Sequence, residues 1–415
     1  MKRLRIVLGC DLRSLAAFRV GLGLALLFDL LGRLCDLNVH YTDTGVLPRD
    51  LLFQTTDSFV LSLHVLGGSA AFETLLFALA GMAAVLLVLG WNTRWVAITS
   101  WIFLASLHAR NPMILDPGDN LLLTLTFLGM FLPIGRQYSI DSGMDPDPVS
   151  DSRHCSLATV LLLLLTMLLM FLVVRSFPGT NAVWAAGIAL LAFIPTALWD
   201  WMSARTELAR HGGLRIYFDK DCAFCRKICL LFRTFFILLK TNIQAAQEVP
   251  EAYEIMVEHD SWVVYDYDGQ VYVRWHAVLL LLRRSPLAWP VGYLLTAIGM
   301  GRWGDFLYGL IASARSRLSK LTSVLLPYRK HSIEKPAIAN VLLGLYLLFA
   351  LTSGIFQQLS WNMPGAEMLQ HALPSAEIWQ SLGEAGPEMR RDRANEDGPL
   401  LNPSTTVIRL DRRGT

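Results

Sequence analysis

A chain of 415 residues is long enough to hold two or more domains. Hydrophobic residues make up 53% of it, charged residues only 17%, and the mean hydropathy is +0.43; this excludes an ordinary soluble composition and points to several membrane spans. A net charge of +2 gives no basis for nucleic-acid binding, and six scattered cysteines do not make the dense framework of a secreted disulfide protein.

The amino end places basic residues ahead of an apolar run, as a signal peptide does, but the run is long, no small-residue cleavage site follows, and further apolar segments come after it. A retained first helix is predicted over residues 12–34. Arg19, Asp29 and Arg33 within it must face protein, water or the interface rather than lipid, and Asp29 and Arg33 have the four-residue spacing of an ion pair. Residues 36–66 are of mixed polarity, with Gly45 and Pro48 breaking any period, and read as a loop with short interfacial turns. Apolar runs at 70–90, 95–107, 121–134, 157–174 and 182–199 complete a predicted six-helix amino-terminal bundle. His40, His64 and His108 have the chemistry of acids or bases, against the commoner reading of surface or satisfied buried histidines. Asp116 and Asp119 suit either a cation or headgroup site or a solvated loop and helix cap.

Arg19 with Asp29, the TDTGVLP stretch at 42–48, the Asp116-Pro117-Gly118-Asp119 turn and FLPIGRQYSID at 131–141 together resemble the HTTM membrane domain, a family related to the membrane part of vitamin K-dependent gamma-carboxylases. The resemblance covers residues 10–205 and implies a helical membrane architecture. Carboxylation in that family is associated with a lysine, and this chain has none between Lys2 and Lys220.

A different kind of segment follows. Leu214 to Phe218 suits a strand, and Asp219 or Asp221 is placed to cap the next helix, which puts Cys222 and Cys225 near its amino end. Helix N–H groups and the positive end of the dipole favour a thiolate there, and Arg226 and Lys227 add positive potential. The first thiolate would attack a disulfide and the second would resolve the mixed disulfide. Cys229 extends the pattern to C-x-x-C-x-x-x-C; with no close histidine it reads as a core residue, a metal ligand being the lesser alternative, and no metal site is assigned. EIMVE and WVVYD read as strands, DGQVYV as a third, and AVLLLLRR as a helix, which fits a thioredoxin-like α/β layer. Tyr265, Tyr267 and Tyr272 are candidates to line a pocket or to pack, and Pro250 is a candidate for the cis-proline beside a thioredoxin active site.

Asp221-Cys222 followed by Phe224-Cys225, with the Asp268-Gly269 turn, the helix near 277–283 and the segment 303–317, resembles the DCC family of thiol-disulfide oxidoreductase-like proteins over residues 213–320. The resemblance implies a thioredoxin-like fold, with Cys222 as the attacking and Cys225 as the resolving thiol. Lys220 stands where the family often has glycine.

Residues 306–330 interleave apolar positions with Arg315, Arg317, Lys320, Arg329 and Lys330, which suits a helix capping the domain, a basic face on anionic lipid, or both. Residues 337–356 are long and apolar enough for a seventh span, and the polar remainder reads as a flexible terminus.

The expected whole is an α-helical multi-pass membrane bundle with an inserted thioredoxin-like α/β domain. Its parts are a six-helix domain at 1–205, a DCC-type domain at 206–330, a further transmembrane helix at 331–360 and a polar tail at 361–415. The expected place is the inner membrane, with the central domain cytoplasmic by the distribution of basic residues. The expected function is membrane-associated thiol-disulfide exchange at Cys222 and Cys225. Such exchange requires no cofactor, and its partners would be the lipid bilayer and a thiol-containing protein or small redox carrier. Two alternatives stand beside it: a noncatalytic membrane scaffold, and a carboxylase-like enzyme using a quinone or vitamin K-like molecule.

Overall fold

The structure, a computed structural model, describes residues 9–55, 62–145, 153–176, 180–206, 213–238, 241–328, 340–341 and 343–344. The expected seventh span and the carboxyl tail therefore lie almost wholly outside the described residues, as do Arg210 and His211 of the link between domains.

The first helix, α1 (Leu12–Leu34), is capped by Asp11, whose side chain accepts a hydrogen bond from the Arg13 N–H. It lies along α2 (Ala70–Leu89). Gly23 permits that approach, because a Cβ there would lie 2.6 Å from Val88 Cγ2 and 3.1 Å from the Ala84 carbonyl. Gly90, with φ +69°, ends α2 in the left-handed conformation that favours glycine. Arg19 is fully buried, and its guanidinium donates to the Leu87 and Tyr138 carbonyls at 3.1 and 2.7 Å, tying α1 to the end of α2 and the loop beyond. Among the described residues, α1 and α2 are the helices long and apolar enough to cross a membrane.

Four helices correspond to the remaining predicted spans, and a fifth arises from a break. They are α3 (Thr93–Arg110), α4 (Pro117–Met130), α5 (Leu157–Ser176), α6 (Thr180–Leu191) and α7 (Thr196–Thr206). The run predicted as one segment over 182–199 is divided, since Pro195 cannot continue a helix. Asp116 and Asp119 form a reciprocal capping box at the start of α4, each side chain accepting from the other's backbone N–H. α1 packs on α2, α4 and α6, while α3 fills the space between α2 and α4. A two-residue ladder, β1 (Cys10–Asp11) with antiparallel β2 (Arg153–His154), pins the start of α1.

The central domain holds one four-stranded mixed sheet in the order β4 (Asn242–Ala245), β3 (Arg215–Phe218), β5 (Val263–Tyr265), β6 (Val271–Val273). β3 runs parallel to β4 and antiparallel to β5, and β5 and β6 form a hairpin whose turn uses Gly269 at φ +79°. Alternate side chains of β3 serve two cores. Ile216 and Phe218 join Cys229 of α8 (Ala223–Phe235) and Leu280 of α10 (Arg274–Arg284), whereas Tyr217 packs with Ala252 and Met256 of α9 (Pro250–His259). The EIMVE stretch, expected as a strand, is part of α9. The buried positions of α9, Ala252 and Met256, are four apart, a helical spacing, while Glu251, Glu254 and Glu258 of the same helix are exposed. Pro250 opens that helix through a trans peptide bond, so it does not supply the expected cis-proline. Three further helices, α11 (Trp289–Ala297), α12 (Gly301–Ser313) and α13 (Arg315–Leu325), complete the domain.

Bundle and domain meet along α8. Gly143, in the short helix Ile140–Gly143, sits so close to α8 that a Cβ there would be 3.2 Å from Thr234 Oγ1 and 3.3 Å from Leu231 Cδ2. The Trp91 indole N–H, just past α2, donates to the Leu325 carbonyl of α13 at 2.8 Å.

Candidate functional site

β3 delivers the chain to a tight turn at 219–222, and α8 begins at once. The helix cap is neither expected aspartate but Cys222 itself, whose Sγ accepts from the Cys225 N–H at 3.2 Å. Asp219 instead organises the turn: its Oδ1 accepts from the Asp221 N–H at 3.1 Å and from Gln247 Nε2 at 2.8 Å, and its carbonyl accepts from the Cys222 N–H at 3.1 Å. Gln247 Oε1 takes the Lys220 N–H at 3.1 Å, so one side chain beyond β4 holds the turn from two sides. Sequence reasoning missed Gln247, because a lone glutamine carries no motif and its role exists only once β4 lies beside β3.

Cys222 and Cys225 form a disulfide, with Cα atoms 5.3 Å apart. Cys222 is half-exposed, and Cys225 packs against the domain core. When the pair is reduced, the sulfur at the cap position receives the N–H groups and partial positive charge of the first turn, which stabilise a thiolate. Cys229 lies deeper, 1% exposed within the core, and burial pushes its thiol well above the usual range. That places it as a packing residue.

The two basic residues after the pair are occupied differently from the expectation. Lys227 is buried, its Nζ donates to the Thr322 carbonyl of α13 at 2.7 Å, and burial lowers its pKa. Arg226 is exposed, and both cations lie 5.4 Å from the Tyr328 ring. Their charge remains near the helix start, but their contacts dock α13 onto the cysteine helix. The three tyrosines are packing residues: Tyr265 stacks edge-on against Tyr217 at 5.4 Å, while Tyr267 and Tyr272 pack on the main core of the domain.

A second polar constellation sits in the bundle, at the end of α1 and α2 remote from the cysteine pair. His64 Nδ1 and Glu73 Oε2 are 2.5 Å apart, and both side chains are almost wholly buried. Arg33 binds Asp29, Asp119 and the Tyr41 hydroxyl at 2.9, 2.6 and 3.0 Å. Arg110, fully buried, donates to the Leu47 carbonyl at 2.7 Å, and its Nη2 lies 3.8 Å from Asp43 Oδ1 in an ion pair, while its Nε has no hydrogen-bond partner among the described residues. The same holds for Glu73 Oε1, Ser100 Oγ and both ring nitrogens of His108. His64 and Ser100 line a small apolar cavity with Leu26, Leu30, Phe77 and Leu104. The fold thus gathers Asp29, Arg33, His64, His108 and Asp119 at one end of the bundle, whereas Arg19 lies at the other. Glu73 was missed, because an acid in the first turn of a helix reads as an ordinary dipole partner.

Compared with known families, residues 216–321, from β3 to α13, match the model of the DCC1-like thiol-disulfide oxidoreductases. Residues 216–321 form a DCC-like domain. The match covers well under half of the chain and contains the whole cysteine site. No match to the HTTM domain was found, and neither a curated protein nor a solved structure matches the chain.

Proposed function

We propose that the chain is a membrane-associated thiol-disulfide oxidoreductase whose DCC-like domain exchanges disulfides at Cys222 and Cys225. The observation that carries this reading is the disulfide at the amino end of α8, with the half-exposed Cys222 at the cap and Cys225 behind it. In the reduced enzyme the Cys222 thiolate attacks one sulfur of a partner disulfide, forming a mixed disulfide and releasing the other partner sulfur as a thiolate. The Cys225 thiolate then attacks Cys222 Sγ, which closes the 222–225 disulfide and frees the partner's second thiol. Two electrons pass to the partner, and a dithiol protein or small thiol restores the pair by the reverse exchange. No cofactor enters these steps.

The proposed setting is the inner membrane. α1 and α2 supply the length and apolarity of crossing helices, and the shorter helices packed on them complete a multi-pass bundle resembling HTTM, with the DCC-like domain in the cytoplasm. A reducing compartment would set the direction toward reduction of the partner. Purified protein in lipid nanodiscs should reduce a model disulfide with Cys222→Ser falling to background, while Cys225→Ser accumulates the mixed disulfide. Unchanged exchange in Cys222→Ser overturns the assignment. Partner recovery undiminished in the folded double variant would favour the scaffold alternative.

A second reading attaches to the bundle. The His64–Glu73 pair beside an apolar cavity, with buried polar atoms of Glu73, Ser100 and His108 left without hydrogen-bond partners among the described residues, is what an acid–base site for a lipophilic molecule requires, and a quinone or vitamin K-like compound is one class that meets it. Glu73 and Gly90 lie about 25 Å apart along α2 at 1.5 Å per residue, so a ligand at this end would not react directly with the cysteine pair. Reconstituted His64→Ala protein should lose binding of a ubiquinone analogue while keeping disulfide exchange; equal binding in that variant removes this reading.

A further inference from the structure

Among the described residues, α12 presents one uncovered stripe. Trp303, Phe306, Leu307, Leu310 and Ile311 recur at helical spacing and are 69, 65, 43, 61 and 49% exposed. The opposite side of the same helix is committed to the domain: a Cβ at Gly304 would run into the Trp275 indole, and Tyr308 packs on the core. On α11, Trp289, Tyr293 and Leu294 are likewise more than half exposed. An apolar face of this extent, rich in aromatic residues, is not left to water in a soluble domain.

Two observations identify what covers it. From residue 285 to 330 the chain carries six basic residues and one acidic residue, Asp305, and Arg317 and Lys320 are exposed on α13, the helix that follows the stripe in the chain. α13 is also tied to the bundle at one level, where the Leu325 carbonyl meets the indole of Trp91 immediately past the end of α2. For a helix that crosses the bilayer, that level is the lipid headgroup region, where tryptophan, tyrosine and basic side chains concentrate.

We propose that α11, α12 and α13 form an interfacial raft, with the α12 stripe sunk into the acyl boundary of an anionic phospholipid surface and the α13 cations among the headgroups. The raft rests on the bundle crossing the membrane. Because α13 is hydrogen-bonded to Lys227 two residues after Cys225, the raft fixes the height of the cysteine helix above the lipid. Partners of the pair then meet it at the membrane surface.

The test places benzoylphenylalanine at Phe306 or Leu310 in the full-length chain, in nanodiscs containing phosphatidylglycerol, and reads photoadducts by mass spectrometry. Met82, exposed on α2, is the bundle control, and Tyr253, exposed on α9, is the solvent control. Lipid adducts at 306, 310 and 82 but not at 253 are expected. Adducts at 82 alone overturn the raft and leave the membrane bundle standing. A protein–protein crosslink at 306 shows a second copy on this face and also overturns the raft. Absence of adducts at 82 removes the membrane reading and the raft with it. Arg317→Glu with Lys320→Glu should lower the yield at 306 several-fold in anionic discs and little in phosphatidylcholine discs. Equal yields across both lipids and both proteins would reject the anionic preference.

Discussion

Three cysteines within eight residues have three environments. Cys222 caps a helix and meets solvent, Cys225 backs onto the core, and Cys229 is sealed inside it. With its pKa raised by burial, Cys229 stays protonated in the folded chain at alkaline pH, while the same thiol in the unfolded chain ionises near pH 8.5. The folded state then holds more protons than the unfolded state, so its contribution to stability is complete below about pH 8.5 and declines as pH rises beyond it. Cys229→Ala should flatten the alkaline side of the thermal-stability profile of the oxidised protein; an unaltered slope would place the titration elsewhere. Gln247→Ala removes the two hydrogen bonds that brace the 219–221 turn, worth about 1 kcal/mol each. Stopped-flow exchange should slow by roughly three- to tenfold with the far-UV spectrum unchanged.

The cysteine helix and its preceding strand were legible in the sequence, because a β-branched and aromatic run followed by a turn and a C-x-x-C pair is a local pattern. The cap was less so: aspartates are better general candidates, and which residue closes the first turn depends on the backbone path out of β3. EIMVE misled for the same reason, since five residues do not separate a period of two from one of 3.6, whereas Pro250 at a first helical turn did carry the signal. Among the bundle helices, apolar runs marked positions well and ends poorly, as at Pro195. Packing between helices was invisible in that reading and depends on residues without side chains. Gly23→Leu would force α1 from α2, where the nearest atoms include the Ala84 carbonyl, and is expected to cost about 1–3 kcal/mol, seen as a fall in the thermal midpoint in detergent. Gly143→Val at the seam with α8 should destabilise less, because Thr234 and Leu231 present side-chain atoms that rotate away.

At the scale of the molecule, distance along α2 separates two chemistries. The His64–Glu73 constellation and the Cys222–Cys225 disulfide share one chain, but the first lies at the start of α2 and the second belongs to the domain that meets the bundle past the end of α2. Arg19, which the sequence requires to face protein, water or the interface, is spent on the Leu87 and Tyr138 carbonyls at the end of the bundle away from His64. Reporter fusions after residues 206 and 343 should place the DCC-like domain in the cytoplasm; an outward-facing reporter at 206 would reverse the compartment and with it the expected direction of exchange.

The Trp91 to Leu325 bond makes that separation usable. In sealed vesicles holding the protein in a single orientation, the two ends would face different pools of water. An impermeant phosphine outside would reduce the disulfide only in vesicles oriented with the DCC-like domain outward. A ligand confined to the lumen would reach the His64–Glu73 end without touching the cysteines. Each half of the chain would then have its own switch, and the response of one to the other would measure directly whether the two halves work together or merely travel together.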